Sequence, residues 1–319
     1  MTIRVLFLAA EMTPYIKTSG VADVVGALPK ALRALGVDAR VAIPRYARID
    51  PNRLGLRVEL ETLDVPLDGS RTSVRVLGGT VPPDLPVYLI DSPPYFGREG
   101  VYGYPDDGER FVLFCRAALE MLAGLGWRPD IIHCHEWHTG FVPNWLKTIY
   151  RENPVLSGVA SVYTIHNLQF QGVFGHRMLE VAGLEAEGFL YHPEMADLAN
   201  VVDMMARGIY FADLVTTVSE RYAREITTPE FGEKLHPLLR DRGDSLVGVL
   251  NGIDPERINP ATDPHIARQF DVDSLDQRVE NKLALQREAG LARDPAVPLL
   301  GMVSRLVDHK GLDLIERAF

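Results

Sequence analysis

The sequence predicts an α/β protein built on a doubly wound parallel sheet, and three observations support this fold class. Short apolar runs alternate along the chain with loops and with amphipathic segments of helical period, which is the pattern of βαβ units. At the start, apolar segments at 3–10 and 38–44 flank a helical segment at 21–36, which predicts a right-handed, Rossmann-like crossover. No repeat with a period of about 20 to 50 residues is present, which excludes solenoids and propellers.

The elements are expected in a simple order along the chain. Pro29 lies inside the first helical segment, so a kink or a break is expected there. Residues 54–91 consist of short alternating runs separated by turn formers, which predicts a β-hairpin insertion. The βα alternation then resumes, with helices predicted at 110–126, 141–151 and 195–212 and strands at 129–137, 159–167, 214–219 and 245–254.

The composition changes near Asn251, where residues 251–264 are rich in proline and turn formers and therefore predict a linker. We expect one domain over 1–250, and a linker with an incomplete second Rossmann-like domain over 251–319. The elements predicted in this second part are a charged helix, a buried strand and the start of a helix, at 275–291, 298–306 and 312–319.

Charge and composition exclude several classes of protein. The chain has 43 acidic and 33 basic side chains and a formal charge of −10, which argues against broad binding to nucleic acid or to an anionic membrane. No apolar run reaches the length of about 18 residues that a membrane span needs, and the apolar run at the N-terminus is too short for a signal peptide. Two cysteines give no disulfide framework and suit a reducing compartment, so a cytoplasmic protein is expected.

Polar residues gather where the predicted strands end, which is where open α/β sheets bind ligands. In the loop after the first strand, Lys17 and the N–H groups of a helix start could hold an anion. The alternative is an ordinary helix start, with Thr18 or Ser19 as N-cap and Lys17 in solvent. The other polar residues at strand ends are Glu11, His133, His135, Glu136, His138, His166, Asn167, Ser304, Arg305 and Lys310.

Each of these groups also has a plainer interpretation. The HCHEWH segment resembles a metal cluster, but its spacing is one residue shorter than HExxH and it lies at the end of a strand, so no metal is expected. His166 and Asn167 could cap a turn, while Arg305 and Lys310 could be either a phosphate clamp or a solvated helix start. GxGxxG, GxxxxGK[ST] and GxSxG are all missing, so the fingerprints of dinucleotide, P-loop and hydrolase sites are not met.

Six segments, in order, resemble the bacterial glycogen synthases and plant starch synthases that use ADP-glucose. They lie at 9–32, 133–140, 163–172, 222–226, 249–254 and 304–315 and cover the chain nearly end to end. The resemblance implies a GT-B architecture, in which two Rossmann-type domains face each other across a cleft. It also implies retaining transfer of glucose from ADP-glucose to the non-reducing end of an α-1,4-glucan, without a metal or a cofactor.

The resemblance also implies roles for particular residues. Lys17 corresponds to the lysine near the sugar-nucleotide phosphates, and Gly20 to a glycine that allows close backbone approach. The other implied roles are contact with the glucose side for Asp23, lining of the glucose pocket for His166 and Asn167, and a grip on the pyrophosphate for Arg305 and Lys310. Glu11 and Glu136, at strand ends, are predicted as further substrate-binding residues.

The chain departs from the family pattern at several positions. It has KTSG where the family has KTGG, HEWH where the family has HDWH, and Ala206 where a lysine is usual. The family's C-terminal domain also continues past the equivalent of residue 319, so the 319-residue chain alone is expected to be inactive. Besides a synthase cut short, a non-catalytic glucan- or nucleotide-binding remnant and a related transferase using another nucleotide sugar remain as alternatives.

Overall fold

The protein is described by a computed structural model, which covers residues 2–304, 306 and 310–318. The chain divides into two compact units, Met1–Ile253 and Asp254–Phe319, which are described separately. Among the residues described, no helix is long and apolar enough to cross a membrane.

The first unit holds the strands of the described part of the chain. In sequence order they are β1 (Arg4–Leu8), β2 (Asp38–Pro44), β3 (Arg57–Leu67), β4 (Ser70–Val81), β5 (Leu85–Asp91), β6 (Ile131–His135), β7 (Ala160–Ile165), β8 (Val173–Phe174), β9 (Val202–Asp203), β10 (Leu214–Thr217) and β11 (Leu246–Gly248).

The main sheet is mostly parallel and doubly wound, as the sequence predicts. Its strand order is β11-β10-β7-β6-β1-β2-β5-β4-β3, and only β4 and β3 run antiparallel to their neighbours. The chain leaves β1 toward β2 on one side and later returns to β6 on the other, so Val5 pairs with both Ala39 and Ile131. The direction of winding therefore reverses at β1, and a crevice is expected at the carboxyl ends of β1 and β6.

The predicted hairpin insertion is present at one edge of this sheet. β3 and β4 pair antiparallel, and Leu67 faces Ser70 across the two-residue turn of Asp68 and Gly69. Both turn residues have positive φ, 52° and 66°, which matches a type I′ hairpin and explains the Asp-Gly pair. Because β5 pairs parallel with β2, the insertion extends the sheet at this edge.

Helices connect the parallel strands. They are α1 (Val21–Ala34), α2 (Pro93–Phe96), α3 (Asp107–Leu125), α4 (Phe141–Lys147), α5 (Arg177–Ala182), α6 (Met204–Phe211), α7 (Glu220–Glu225) and α8 (His236–Asp241), with 3₁₀ turns at Trp137–Thr139, Ala196–Ala199 and Gly243–Ser245. The core lies between these helices and the sheet, where Leu6, Phe7 and Leu8 of β1 are fully buried. Burial of successive aliphatic and aromatic residues along a strand is typical of a parallel sheet covered on both faces.

Two local expectations differ from the structure. α1 runs unbroken through the buried Pro29, so the break expected there does not occur. The single helix expected over 195–212 is instead a 3₁₀ turn, the strand β9 and α6. Asp203 explains the late helix start, because its side chain accepts a hydrogen bond from the Ala206 N–H at 2.8 Å and caps α6.

The second unit contains a 3₁₀ turn (Val272–Gln277), α9 (Arg278–Glu288) and α10 (Leu312–Ala318). The buried strand expected over 298–306 is not formed by the described residues of that segment, and Leu300 and Val303 are exposed. A strand needs a neighbour for its backbone hydrogen bonds, and the described part of this unit contains no strand to pair with it.

Candidate active site

The Glu11 carboxylate organises the loop that follows β1. Glu11 is 1% exposed, and it accepts hydrogen bonds from the N–H of Thr18, from the N–H of Ser19 at 2.9 Å and from Ser19 Oγ at 2.6 Å. Tyr102 donates its hydroxyl to the same carboxylate. With four donors on two oxygens, Glu11 holds the 17–20 loop in a fixed conformation.

Lys17 and Gly20 lie at the start of α1. Lys17 Nζ is 2.5 Å from Asp23 Oδ2, and both side chains are close to half exposed, so the ion pair adds only about 0–1 kcal/mol to stability. Gly20 is the N-cap with helical φ and ψ, and neither Thr18 nor Ser19 takes that position. A Cβ added at Gly20 would meet no described atom within 4 Å, which leaves open space beside the helix N-terminus.

Glu136 links the ends of β6 and β7. Its Oε1 accepts hydrogen bonds from the N–H of His166 at 2.5 Å and of Asn167 at 3.0 Å. Its backbone has φ 64° and ψ 174°, a conformation that L-residues adopt rarely and that the surrounding contacts must hold in place. One of these contacts is the bond from the Glu136 N–H to the Thr164 carbonyl at 3.1 Å.

The Glu136 carboxyl has an unusual protonation equilibrium. Burial raises its pKa from 4.5 to about 7, and the nearby Glu11 adds to the rise. The N–H groups of His166 and Asn167 oppose this rise because they stabilise the ionised form. The Glu11 carboxyl, after β1, thus influences the protonation of Glu136, after the neighbouring strand β6.

Three of the histidines at this edge are neutral and hydrogen-bonded to one another or to threonine. His133 Nε2 lies 2.6 Å from Thr164 Oγ1, and His135 Nδ1 lies 2.9 Å from His166 Nε2. Burial lowers the pKa of His133 to about 3 and of His166 to about 4, and lowers that of His135 well below its ordinary value. Within the described residues, no three His, Cys, Asp or Glu side chains converge as ligands for a metal ion.

The structure places the predicted site residues of the first unit in two groups. Glu11, Lys17, Gly20 and Asp23 form one group after β1, and Glu136, His166 and Asn167 form another at the ends of β6 and β7. Lys310 is exposed in the second unit, and Arg305 lies outside the described residues.

Asn167 also has the capping contact that the plainer interpretation proposes, since its Oδ1 accepts a hydrogen bond from the Gln169 N–H at 3.0 Å. The sequence reasoning did not identify Tyr102, whose loop carries no motif. It also assigned no contact to His135, although the position of this histidine two residues after His133 on one strand places both on the same face.

Comparison with known proteins identifies the family. The model of the starch synthase catalytic domain matches residues 4–241. The chain is 48% identical to the glycogen synthase of Moorella thermoacetica over 316 residues, which are 98% of this chain and 63% of that protein. It is 43% identical to the glycogen synthase of Desulforudis audaxviator, covering 98% of this chain and 64% of that protein.

A solved structure agrees with this result. The catalytic domain of starch synthase IV from Arabidopsis thaliana, bound to ADP and acarbose, matches with a TM-score of 0.90 and 36% identity over 100% of this chain and 66% of that chain. The chain therefore spans somewhat less than two thirds of the relatives' length. The fold predicted from the sequence, an α/β protein of the GT-B glycosyltransferase type, is confirmed by this match. The resemblance noted in six segments is confirmed as well, and the chain belongs to the starch synthase catalytic domain family.

Proposed function

We propose that the chain is the glucose- and acceptor-binding part of a glycogen or starch synthase, joined to the beginning of its nucleotide-binding domain. The complete enzyme transfers glucose from ADP-glucose to the non-reducing end of an α-1,4-glucan with retained configuration. In this proposal residues 1–250 form the first domain, and 251–319 form the linker and the start of the second.

The observation that carries the proposal is the placement of two ordered loops at the carboxyl ends of β1 and β7 in the same sheet. Glu11 fixes the Lys17 loop after β1, and Glu136 fixes the turn of His166 and Asn167 after β7. The Lys17 ammonium and the open space beside Gly20 suit a sugar phosphate, because a cation and a helix N-terminus both attract an anion.

The proposed chemistry follows from the charges that develop during glycosyl transfer. Positive charge builds at the anomeric carbon and negative charge builds on the departing diphosphate. Cations that contact the diphosphate more strongly in the transition state than in the ground state accelerate the reaction, and we assign this role to Lys17, Arg305 and Lys310. His166, Asn167 and Asp23 are assigned to the glucose, with Gly20 allowing close approach and Glu11 and Glu136 completing the binding site.

In keeping with the family resemblance, we assign no metal or cofactor to the reaction. The choice of ADP-glucose is supported by that resemblance and by the similar starch synthase IV structure, which is bound to ADP. We also propose a cytoplasmic location, which is supported by two free cysteines, Cys115 and Cys134.

The test is a chimeric enzyme. Residues 1–250 of this chain are joined to the C-terminal part of the Moorella thermoacetica glycogen synthase, and radiolabelled ADP-glucose is supplied with glycogen as acceptor. We expect label in the polymer from the chimera and none from the 319-residue chain alone. The reason is that displacing one of the cations assigned to the diphosphate by about 1 Å already lowers the reaction rate on the order of 10²-fold. A folded chimera that incorporates no label would contradict the proposed function, and label incorporated by the chain alone would contradict its expected inactivity.

A further inference from the structure

The imidazole rings of His135 and His166 share one hydrogen bond at the carboxyl ends of β6 and β7. His135 Nδ1 and His166 Nε2 are 2.9 Å apart. Burial lowers the pKa of both rings, to about 4 for His166 and well below the ordinary value for His135. At neutral pH each ring is therefore uncharged and carries a single N–H, so one ring donates and the other accepts.

The plane of the His135 ring is fixed by its neighbours. It stacks on His133, with centroids 4.4 Å apart and planes 24° apart, and on Phe7, with centroids 5.8 Å apart and planes 18° apart. The side chain is 1% exposed. Its second nitrogen, Nε2, is buried and has no hydrogen-bond partner among the described residues.

This unpartnered nitrogen distinguishes the two possible proton arrangements. If His166 donated from Nε2, the proton of His135 would lie on its own Nε2 and would be a buried N–H without an acceptor. If His135 donates from Nδ1, its Nε2 keeps only an unshared lone pair. Buried N–H groups without a partner are rarer in proteins than incompletely satisfied acceptors, so the second arrangement is favoured.

We propose that His135 is a positioning residue that fixes His166 in the tautomer protonated at Nδ1. Its own Nδ1–H donates to His166 Nε2, which leaves the proton of His166 on the opposite side of the ring. Nδ1 of His166 makes no hydrogen bond to any residue that the structure describes, and it is not among the buried unpartnered atoms. His166 thus presents a hydrogen-bond donor, not an acceptor, to whatever binds at this edge.

The nature of the bound group rests on the proposed function. If a glucosyl unit binds beside His166, the Nδ1–H donates to an oxygen of one of its hydroxyl groups. A hydroxyl oxygen can accept this bond and still donate its own proton elsewhere. A neutral ring protonated at Nε2 would require the hydroxyl to donate instead. His135 therefore determines which partner donates in the hydrogen bond between His166 and the sugar, although His135 itself does not contact the sugar.

The test is nitrogen NMR of the 319-residue chain with ¹⁵N-labelled histidine, using two-bond couplings between ring protons and nitrogens to assign each tautomer. We expect the His166 Nε2 resonance in the range of an unprotonated nitrogen and the Nδ1 resonance in the protonated range. The Nδ1–H tautomer should outnumber the Nε2–H tautomer by about tenfold or more, because the Nε2–H tautomer would leave a buried donor on His135 unpaired. A His166 ring protonated mainly at Nε2 in the unsubstituted chain would overturn the inference without any variant.

Two substitutions test the role of His135 directly. His135→Asn retains a donor close to the original Nδ1 position and should keep His166 in the Nδ1–H form. His135→Ala removes the donor and admits water, which both donates and accepts, so the Nε2–H form should increase by about tenfold. An unchanged tautomer in a folded His135→Ala variant would show that His135 does not fix it. If that variant fails to fold, the unsubstituted chain and His135→Asn still decide the question.

Ligand addition separates this inference from the proposed function. ADP-glucose and maltotriose are titrated into the labelled chain while the His166 Nδ1 resonance is followed. A shift at Nδ1 supports the sugar contact. An Nδ1–H tautomer that no ligand perturbs would count against the proposed function, whereas the inference on His135 depends only on the tautomer.

Discussion

Replacing Glu136 with glutamine should change how the stability of this protein depends on pH. Glutamine has the same shape as a protonated glutamate, and its Oε1 can still accept the N–H groups of His166 and Asn167. The substitution therefore keeps both hydrogen bonds and removes only the ability to ionise. Any difference between the two proteins that varies with pH then belongs to this carboxyl group.

The expected magnitude follows from the raised pKa of Glu136. Its pKa is about 7 in the folded protein against an ordinary value of 4.5, mainly because the carboxyl is buried. The folded state thus binds the proton more tightly than the unfolded state. The resulting stabilisation is fully present below pH 4.5 and is lost as the pH rises through about 7. At 1.36 kcal/mol for each pH unit, the loss is roughly 3 kcal/mol.

The assay is urea unfolding of both proteins at several pH values between 5 and 8. At pH 5 the Glu136→Gln variant should be the more stable by only about 1 kcal/mol, and by pH 8 this difference should grow to about 3 kcal/mol. The pKa values of the buried histidines are lowered, so their contribution to stability changes with pH in the direction opposite to that of Glu136. Asp203 has a pKa raised to about 7, mainly by burial, so its contribution changes in the same direction as that of Glu136. Both contributions cancel in the comparison. Glu185→Gln, at an exposed site, controls for the loss of one charge. Parallel curves for wild type and Glu136→Gln would refute the reasoning.

Three further predictions concern the loop after β1 and the absence of a metal requirement. In the chimeric enzyme, Lys17→Ala should lower kcat/KM by about 100-fold, as expected for a cation at a transferring phosphate, and near-normal turnover would make Lys17 an ordinary surface residue. Glu11→Ala removes an acceptor of four hydrogen bonds and should lower the free energy of unfolding by about 3–5 kcal/mol, whereas Glu11→Gln, which can still accept from Thr18 and Ser19, should cost about 1–2 kcal/mol. Equal losses for these two variants would mean that the bonds do not hold the loop. Chelators should leave the circular dichroism of the chain and the activity of the chimera unchanged, and stoichiometric zinc in elemental analysis would contradict this.

The architecture of the first unit is determined largely by local patterns in the sequence. Apolar runs of strand length that alternate with amphipathic helical segments are typical of a covered parallel sheet, so the strands β1, β2, β6 and β7 and the parallel opening unit of β1 and β2 are predicted from the sequence. The Asp68-Gly69 pair predicts the hairpin turn for a similarly local reason, because few other residue pairs tolerate two successive positive φ angles. The motif segments then place Lys17, Glu136 and His166 at strand ends.

Only the tertiary structure decides what those side chains contact. Tyr102, in the loop before α3, reaches Glu11 from 91 residues away. His135 meets His166 across 31 residues because β6 and β7, which lead into them, are neighbours in the sheet and not in the chain. The raised pKa of Glu136 likewise depends on its burial and on the nearby Glu11, and neither can be predicted from the residues next to Glu136 in the sequence. The same reason accounts for the strand expected over 298–306. Its apolar residues favour a strand, but backbone hydrogen bonds to a neighbour are what form one, and the described part of the second unit provides no such neighbour.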